Sequence, residues 1–452
     1  AVQELVSEAP RRRKIDNALK DISDLERLSV RLSSSAASPK DLEAVACSLS
    51  QLPALAESLS GCANPFLTAM SATPDELADL YEIIAAAIGQ DPPREITNGG
   101  IFANGYNTEL DEVRSLLGGG KRWMEEFQQR EQERTKIKSL KVSFNSTFGY
   151  FIEITHSNRE LVPSDYIRKQ TLTNAERYIT PELKEYEARV LNAEKSQSDL
   201  EYRLFIELRQ SLTKFGPALK KLSAAVAAVD VLCSLASVAA EYKYVRPTVD
   251  LSLALEVDDG RHPVLERLLP MGVYIANDIK LYGNSQDQQM MILTGPNMSG
   301  KSSYLRQIAL ITIMAQAGSF VPAARAKVGI VDRIFTRIGA VDDLGRGQST
   351  FLVEMSETAQ CCLCATERSL ILLDEIGRGT STYDGVAIAW SVSEHLASQV
   401  RSRTIFATHY HELNGLATFW PQIVNQQVQV AEFEGRVEFL HKVGPGGASR
   451  SF

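Results

Sequence analysis

The stretch Gly295-Pro296-Asn297-Met298-Ser299-Gly300-Lys301-Ser302 decides how the chain is read. An apolar run, Met290-Met291-Ile292-Leu293-Thr294, precedes it and has the makeup of a buried strand. Ser303-Tyr304-Leu305-Arg306-Gln307-Ile308-Ala309-Leu310 follows and reads as a helix. Strand, G-x-x-x-x-G-K-S and helix in that order form the P-loop pattern. Its glycines let backbone N–H groups turn onto phosphate oxygens, and the helix N-terminus adds partial positive charge. In this pattern the run from Gly295 to Ser303 cradles a nucleotide. Lys301 reaches the β- and γ-phosphates, and the Ser302 hydroxyl holds Mg²⁺. The plainer reading is a structural Gly-rich turn. The strand before and the helix after make the nucleotide site the stronger expectation.

A P-loop enzyme needs carboxylates at a neighbouring strand end. Ser369-Leu370-Ile371-Leu372-Leu373-Asp374-Glu375 supplies them: Asp374 for the Mg²⁺ shell, Glu375 to orient or deprotonate the attacking water. Taken alone, such a pair is more often a solvated strand end. Thr404-Ile405-Phe406-Ala407-Thr408-His409 is a second apolar strand, ending on a histidine that could reach the γ-phosphate or the lytic water. Between them, Ser349 follows the Gly-containing Asp342-Asp343-Leu344-Gly345-Arg346-Gly347-Gln348. It reads equally well as an ordinary helix cap or as an anion-facing helix start.

Length and composition set the bounds. With 452 residues, the chain is long enough for two to four domains, and 44% hydrophobic content predicts folding rather than disorder. A net charge of −8 excludes a protein that is basic throughout, so any nucleic-acid contact needs a local patch. No uninterrupted apolar run approaches the length of a membrane span, and no signal-peptide pattern or starting Met is present, which suggests a fragment or a processed chain. The six cysteines, including Cys361-Cys362-x-Cys364, match no common zinc spacing and read as reduced thiols packed on a helix.

Along the chain, helices come first. Ser38-Pro39-Lys40-Asp41 and Thr73-Pro74-Asp75-Glu76 are helix-start signals, each followed by apolar residues at helical spacing. Asp91-Pro92-Pro93 and Gly118-Gly119-Gly120 break the pattern. From Lys121 the chain is charged and helical. Leu140–Asn145 and Tyr150–Thr155 then read as a hairpin or small sheet. Helical period returns after Pro181, with Leu200, Leu204, Leu208 and Leu212 four apart, punctuation at Gly216-Pro217, and a 3/4 spacing from Leu219 to Ala240. Beyond Val245-Arg246-Pro247, apolar strands alternate with helices, predicting a mainly parallel sheet. Asn425 to Val443 reads as a hairpin turning at Glu434-Gly435.

Together these elements resemble the MutS family of DNA mismatch repair ATPases, of the ABC class, and bacterial-type members most. The resemblance rests on Thr294 to Ser302, Phe335-Thr336-Arg337-Ile338-Gly339-Ala340, Ser349-Thr350-Phe351-Leu352-Val353-Glu354-Met355, Asp374-Glu375-Ile376-Gly377-Arg378-Gly379-Thr380-Ser381 and Ala407-Thr408-His409-Tyr410. The run from Asp374 to Ser381 is the most diagnostic. One departure is Ser299, where many members have Gly. In the helical half, Gly105-Tyr106-Asn107-Thr108-Glu109-Leu110-Asp111 and Leu172-Thr173-Asn174-Ala175-Glu176-Arg177-Tyr178 look like landmarks of the family's core and clamp.

The resemblance implies an all-α lever or core domain (1–117 and 185–244) with an inserted, β-containing clamp (118–184). A P-loop, ABC-class α/β ATPase domain (245–452), incomplete at its C-terminus, would follow. It implies catalytic roles for Glu375, His409 and, in trans across a dimer, Ser349. Tyr274 would stack on adenine with His441 as its partner. Arg168, Lys169, Gln170, Asn174 and Arg177 would contact DNA. The interval 121–195 carries 14 Lys and Arg against 12 Asp and Glu, so these local contacts rather than bulk charge would have to hold the phosphates. ATP and Mg²⁺ are the implied cofactors. Mismatched or branched double-stranded DNA, a second MutS-type subunit and a MutL-type protein are the implied partners, with no membrane. The bacterial cytoplasm is the first expected location, with nucleus or organelle as alternatives. The family pattern extends past both ends, so the mismatch-reading domain with its Phe-x-Glu wedge and the dimer-locking helices are expected to be missing. Two other readings stay open at this point: a recombination-type paralogue binding branched DNA, and a DNA clamp without catalysis.

Overall fold

A computed structural model describes residues 1–71, 75–118, 120–145, 149–270, 272–338, 350–377, 379–433 and 436–447. The chain divides into two compact units, Arg13–Asp230 and Ala1–Arg12 with Val231–Phe452.

The first unit is helical around one small sheet. The Ser38 signal becomes a complete capping box on the helix Pro39–Ser50. Asp41 N–H donates to Ser38 Oγ at 3.2 Å, and Ser38 N–H donates to Asp41 Oδ2 at 2.9 Å. Thr73-Pro74 lies outside the described residues; the helix it announces spans Asp75–Ala87. Thr180 caps the helix Pro181–Leu212, with Pro181 in its first turn. The stripe this helix buries includes Leu200, Phe205, Leu208 and Leu212 rather than a strict four-residue row, because 3.6 residues per turn carries the row past Leu204. Glu201 is fully buried on the same helix. Arg114 pairs with it at 3.0 Å, and Ile101 N–H donates to it at 2.9 Å, so the charge is compensated.

The residues Gly216-Pro217 begin a helix, Gly216–Glu241, joined to the previous one through the short 3₁₀ turn Thr213–Phe215. The resulting helical stretch Pro181–Glu241 is long and apolar enough by composition to cross a membrane, although Asp230 interrupts its most apolar part. Leu219, Leu222, Val226, Val229, Cys233 and Ala236 are buried along it at 3/4 spacing.

Of the two expected forms, hairpin or small sheet, this unit has the sheet, with four strands. They are β1 (Lys141–Asn145), β2 (Gly149–Thr155), β3 (Ile167–Thr171) and β4 (Ala175–Ile179), in the order β1-β2-β4-β3, all antiparallel. Phe127, Ile137, Leu140, Ile152, Ile154, Tyr166, Tyr178 and Leu183 form its core.

The second unit holds two sheets. One orders β5 (Thr248–Asp250), β9 (Arg325–Gly329), β6 (Ala254–Gly260) and β7 (Asn277–Tyr282). The other runs β10 (Ile334–Arg337), β11 (Leu370–Asp374), β12 (Arg403–Thr408), β8 (Met290–Thr294), β13 (Ile423–Phe433) and β14 (Arg436–Pro445). Its first five strands are parallel, and β14 closes it antiparallel to β13. Side chains alternate between two cores. Met291, Leu293, Leu372 and Ala407 join the helix Lys301–Gln316 and the smaller sheet on one face; Met290, Ile292, Leu373 and Phe406 join Ala389, Leu396 and Leu413 on the other. Burial on both faces explains why these strands read as continuous apolar runs.

Candidate functional site

Parallel strands bring their carboxyl ends to one edge, where loops from β8, β11 and β12 meet. β8 leads through 295–300 into the helix Lys301–Gln316, with Gly300 at its cap in a left-handed conformation (φ +105°). Lys301 is buried, and its ammonium donates to the carbonyls of Gly295 (2.7 Å) and Pro296 (3.0 Å). Ser302 Oγ donates to Asp374 Oδ2 at 2.5 Å, joining the loop after β8 to the end of β11. Pro296 is half-buried, Asn297 and Met298 are exposed, Ser299 is buried, and Ser303 lies one residue further along the helix.

Glu375 follows directly on β11, held in a left-handed conformation (φ +57°) with its N–H donating to Ala407 O at 2.9 Å. That turn aims its carboxylate across at the end of β12, where Oε1 comes into close contact with Nε2 of His409, the residue after the strand. Met298 (φ +64°) and His441 (φ +51°) are also left-handed, an uncommon conformation for non-glycine residues that recurs at functional sites.

Beside the loop opens a cavity of about 300 Å³ whose lining includes Tyr274, Ser299, Gly300, Ser303 and His441. The structure thus brings Tyr274 and His441 together from opposite ends of the unit. The Tyr274 hydroxyl donates to Gln307 Oε1 at 2.6 Å, and burial pushes its pKa up to about 12. His441 Nδ1 lies 2.8 Å from the Ser299 carbonyl, so Nδ1 carries the proton. Asn277, at the start of β7, positions this histidine. Its Nδ2 donates to His441 O at 2.9 Å, and its Oδ1 accepts from Val443 N–H at 2.7 Å. Asn277 and Gln307 were not singled out from the sequence. The available signal was a polar residue on a buried helix face, since Gln307 falls between Tyr304 and Ile308.

The residues fit the groups the motif implies. Ser302 and Asp374 offer hard oxygen donors side by side, as Mg²⁺ requires. The glycine cap and the adjacent, mainly apolar cavity suit a phosphate and a planar base. Ser349 lies outside the described residues. The described residues of that motif open the helix Thr350–Cys364, which carries Cys361, Cys362 and Cys364; burial pushes the Cys361 thiol up to about 11.

In the four-stranded sheet, Arg168, Lys169 and Gln170 lie on β3, and Asn174 sits at the exposed β3–β4 turn. Arg177, on β4, is engaged within the sheet. Its guanidinium lies 4.3 Å from the Phe151 ring centroid and bonds Glu153 and Gln170 at 3.1 Å each. Arg168 is half-exposed, 3.5 Å from Glu176.

Fold and site define a multidomain protein of mixed helix and sheet, with a Gly-rich strand–turn–helix beside paired carboxylates. A family model described as MutS domain V matches residues 291–452, and one described as MutS family domain IV matches residues 105–196. The chain is 50% identical over 453 residues to the DNA mismatch repair protein MutS of Myxococcus xanthus (strain DK1622), covering 100% of this chain and 51% of that protein. It is 49% identical over 451 residues to the protein of the same name from Synechococcus sp. (strain JA-2-3B'a(2-13)), with 100% and 51% covered. For that of Trichormus variabilis (strain ATCC 29413 / PCC 7937) the figures are 50% over 454 residues, 100% and 53%. The chain belongs to the MutS family. It spans about half the length of the curated relatives it matches.

Proposed function

We propose that this chain is the lever, clamp and ATPase portion of a bacterial-type MutS, coupling ATP hydrolysis to its grip on mismatched double-stranded DNA. The reading assigns 1–117 and 185–244 to an all-α lever, 118–184 to the inserted clamp and 245–452 to a P-loop, ABC-class ATPase domain. It places the protein in the bacterial cytoplasm, with a second MutS-type subunit and a MutL-type protein as partners. The observation that carries it is the bridge from Ser302 to Asp374, with Glu375 facing His409 just after the next strand.

In this mechanism Lys301 exchanges the carbonyls of Gly295 and Pro296 for phosphate oxygens. Ser302 and Asp374 hold Mg²⁺, which supplies positive charge against the phosphates when bound. Tyr274 and His441 receive the adenine. Glu375 orients the water and takes its proton, and His409 holds the Glu375 carboxylate in place. Ser349 closes the site from a second copy, facing the γ-phosphate.

Two variants test the reading. Lys301→Ala loses ATP binding, and Glu375→Ala binds ATP without turning it over. Hydrolysis by Glu375→Ala at the parent rate would remove Glu375 from the catalytic role. Turnover rising with the square of chain concentration supports the composite site, whereas a strictly linear dependence speaks against it.

A further inference from the structure

The turn after Glu375 is gripped by residues the mechanism above does not use. Gly377 is left-handed (φ +94°), and a Cβ on it would lie 2.6 Å from Gly385 Cα, so the turn sits directly on the helix Thr382–His395. Its N–H donates to Glu354 Oε1, and its carbonyl accepts from the Tyr410 hydroxyl at 3.0 Å. Gly377 is therefore held through the peptide groups on both of its sides, and Glu375 itself is tied at its own N–H to Ala407. Glu354 is buried, 3% exposed, and its second oxygen lies 3.7 Å from Arg337 Nη2 at the end of β10. Three residues earlier on the same helix, Phe351 crowds Gly379, where an added Cβ would lie 2.7 Å from Phe351 Cβ. Residues three apart share a helix face. The helix Thr350–Cys364 thus rests on the turn at two points, one apolar and one charged.

We infer that Glu354 is a positioning residue for Glu375: its buried carboxylate, oriented by Arg337, pins the Gly377 amide and so sets the conformation of the turn that carries Glu375. A buried carboxylate is costly unless its oxygens are compensated, and here the compensation is the Gly377 amide in the turn after β11 and the guanidinium of Arg337 at the end of β10, whose Nε also reaches Glu357 at 3.2 Å. A small displacement of that amide would swing Glu375 off the line to its water, and misplacement on the order of 1 Å can lower a rate about a hundredfold. The inference rests on the ATPase reading for its kinetic consequence. Its structural part is measurable without ATP.

The test compares Glu354→Ala, Glu354→Gln and Tyr410→Phe with the parent in the full chain. Hydrogen–deuterium exchange of a peptide covering 375–381, without nucleotide, reads the turn itself. Exchange is expected to speed up about tenfold or more in Glu354→Ala and to stay near the parent in Glu354→Gln, which keeps the amide acceptor. With ATP, kcat is expected to fall about tenfold or more in Glu354→Ala while the Kd for ATP stays within about twofold, and Glu354→Gln recovers most of the rate. Parent-like exchange in Glu354→Ala overturns the proposal. So does a loss of ATP affinity matching the loss of rate. Should Glu354→Ala unfold, Tyr410→Phe decides, since it removes the other hold on the same residue, Gly377. Loosened exchange at an unchanged melting temperature supports the device, and unchanged exchange sinks it. Loosened exchange in a parent without ATPase activity keeps the positioning claim and removes only the enzymatic reading.

Discussion

Ser302 and Asp374 meet at 2.5 Å across the ends of two strands that are not neighbours, since β12 lies between β8 and β11. A hydroxyl on a helix start and a carboxylate on a strand end form the donor pair a divalent cation needs. Asp374→Asn removes the charge and keeps the shape. It is expected to raise the Mg²⁺ concentration needed for half-maximal turnover about tenfold or more, with ATP binding in the absence of Mg²⁺ changed little. A Mg²⁺ titration of turnover beside a metal-free binding isotherm checks both halves.

Tyr274 is held by its hydroxyl on Gln307, which leaves the ring at the cavity. Tyr274→Ala is expected to weaken ATP binding about tenfold. Tyr274→Phe, which keeps the ring and loses only the anchor, should weaken it about twofold to threefold. Fluorescent-nucleotide titration separates the two. Equal losses in both variants would assign the effect to the hydroxyl instead of the ring.

His262 makes stability depend on pH. Its Nδ1 accepts from Val264 N–H (3.2 Å) and Leu265 N–H (3.3 Å), and burial lowers its pKa from the usual 6.5. A depressed folded-state pKa means the unfolded chain takes the proton first as pH falls. The contribution of His262 is complete above pH 6.5 and is lost as pH falls from there through the lower folded-state value. Thermal melts from pH 7 to pH 5 should show the second unit weakening, and His262→Asn should flatten that slope.

Arg403 is fully buried, and among the described residues no carboxylate is in contact with it. Its guanidinium donates to the carbonyls of Gly329 (2.8 Å), Ile330 (3.3 Å), Ala254 (3.4 Å) and Arg368 (2.5 Å), and burial lowers its pKa to about 10. It clasps β12 to the smaller sheet. Arg403→Met strands several buried carbonyls and is expected to cost about 3 kcal/mol or more. Calorimetry should show the transition of this unit moved down by several degrees, with Arg403→Lys between the two.

The cations of the four-stranded sheet divide by what already holds them. Arg168→Ala is expected to weaken double-stranded DNA binding and lower the salt slope by about 1. Arg177→Ala should act mainly on the sheet, because Arg177 is committed to Phe151, Glu153 and Gln170. Its melting temperature falls while the salt slope stays. Binding isotherms over a salt series, with a melt of each variant, check this.

Much of the site is legible in sequence because its signals are local. Strand composition, glycine spacing and the Lys-Ser step occupy one stretch of chain, and the Asp374-Glu375 pair follows its strand directly. Helix starts are local too, as the capping box at Ser38 shows. The four-residue leucine row from Leu200 was a looser guide: the helical repeat substitutes Phe205 for Leu204 in the buried stripe.

By itself the sequence determined the strand–turn–helix around Gly295 to Ser302, the carboxylates at the end of β11 and the alternation of strands and helices, since each depends on short-range stereochemistry and periodicity. Only the tertiary structure decided the rest. Tyr274 reaches the cavity it shares with His441, Arg177 turns inward onto Phe151, β3 and β4 complete a four-stranded sheet, and Glu354 finds the amide of Gly377. Those partners are set by strand order and crossover, which bring distant positions together by burying apolar faces. No spacing along the chain encodes that distance.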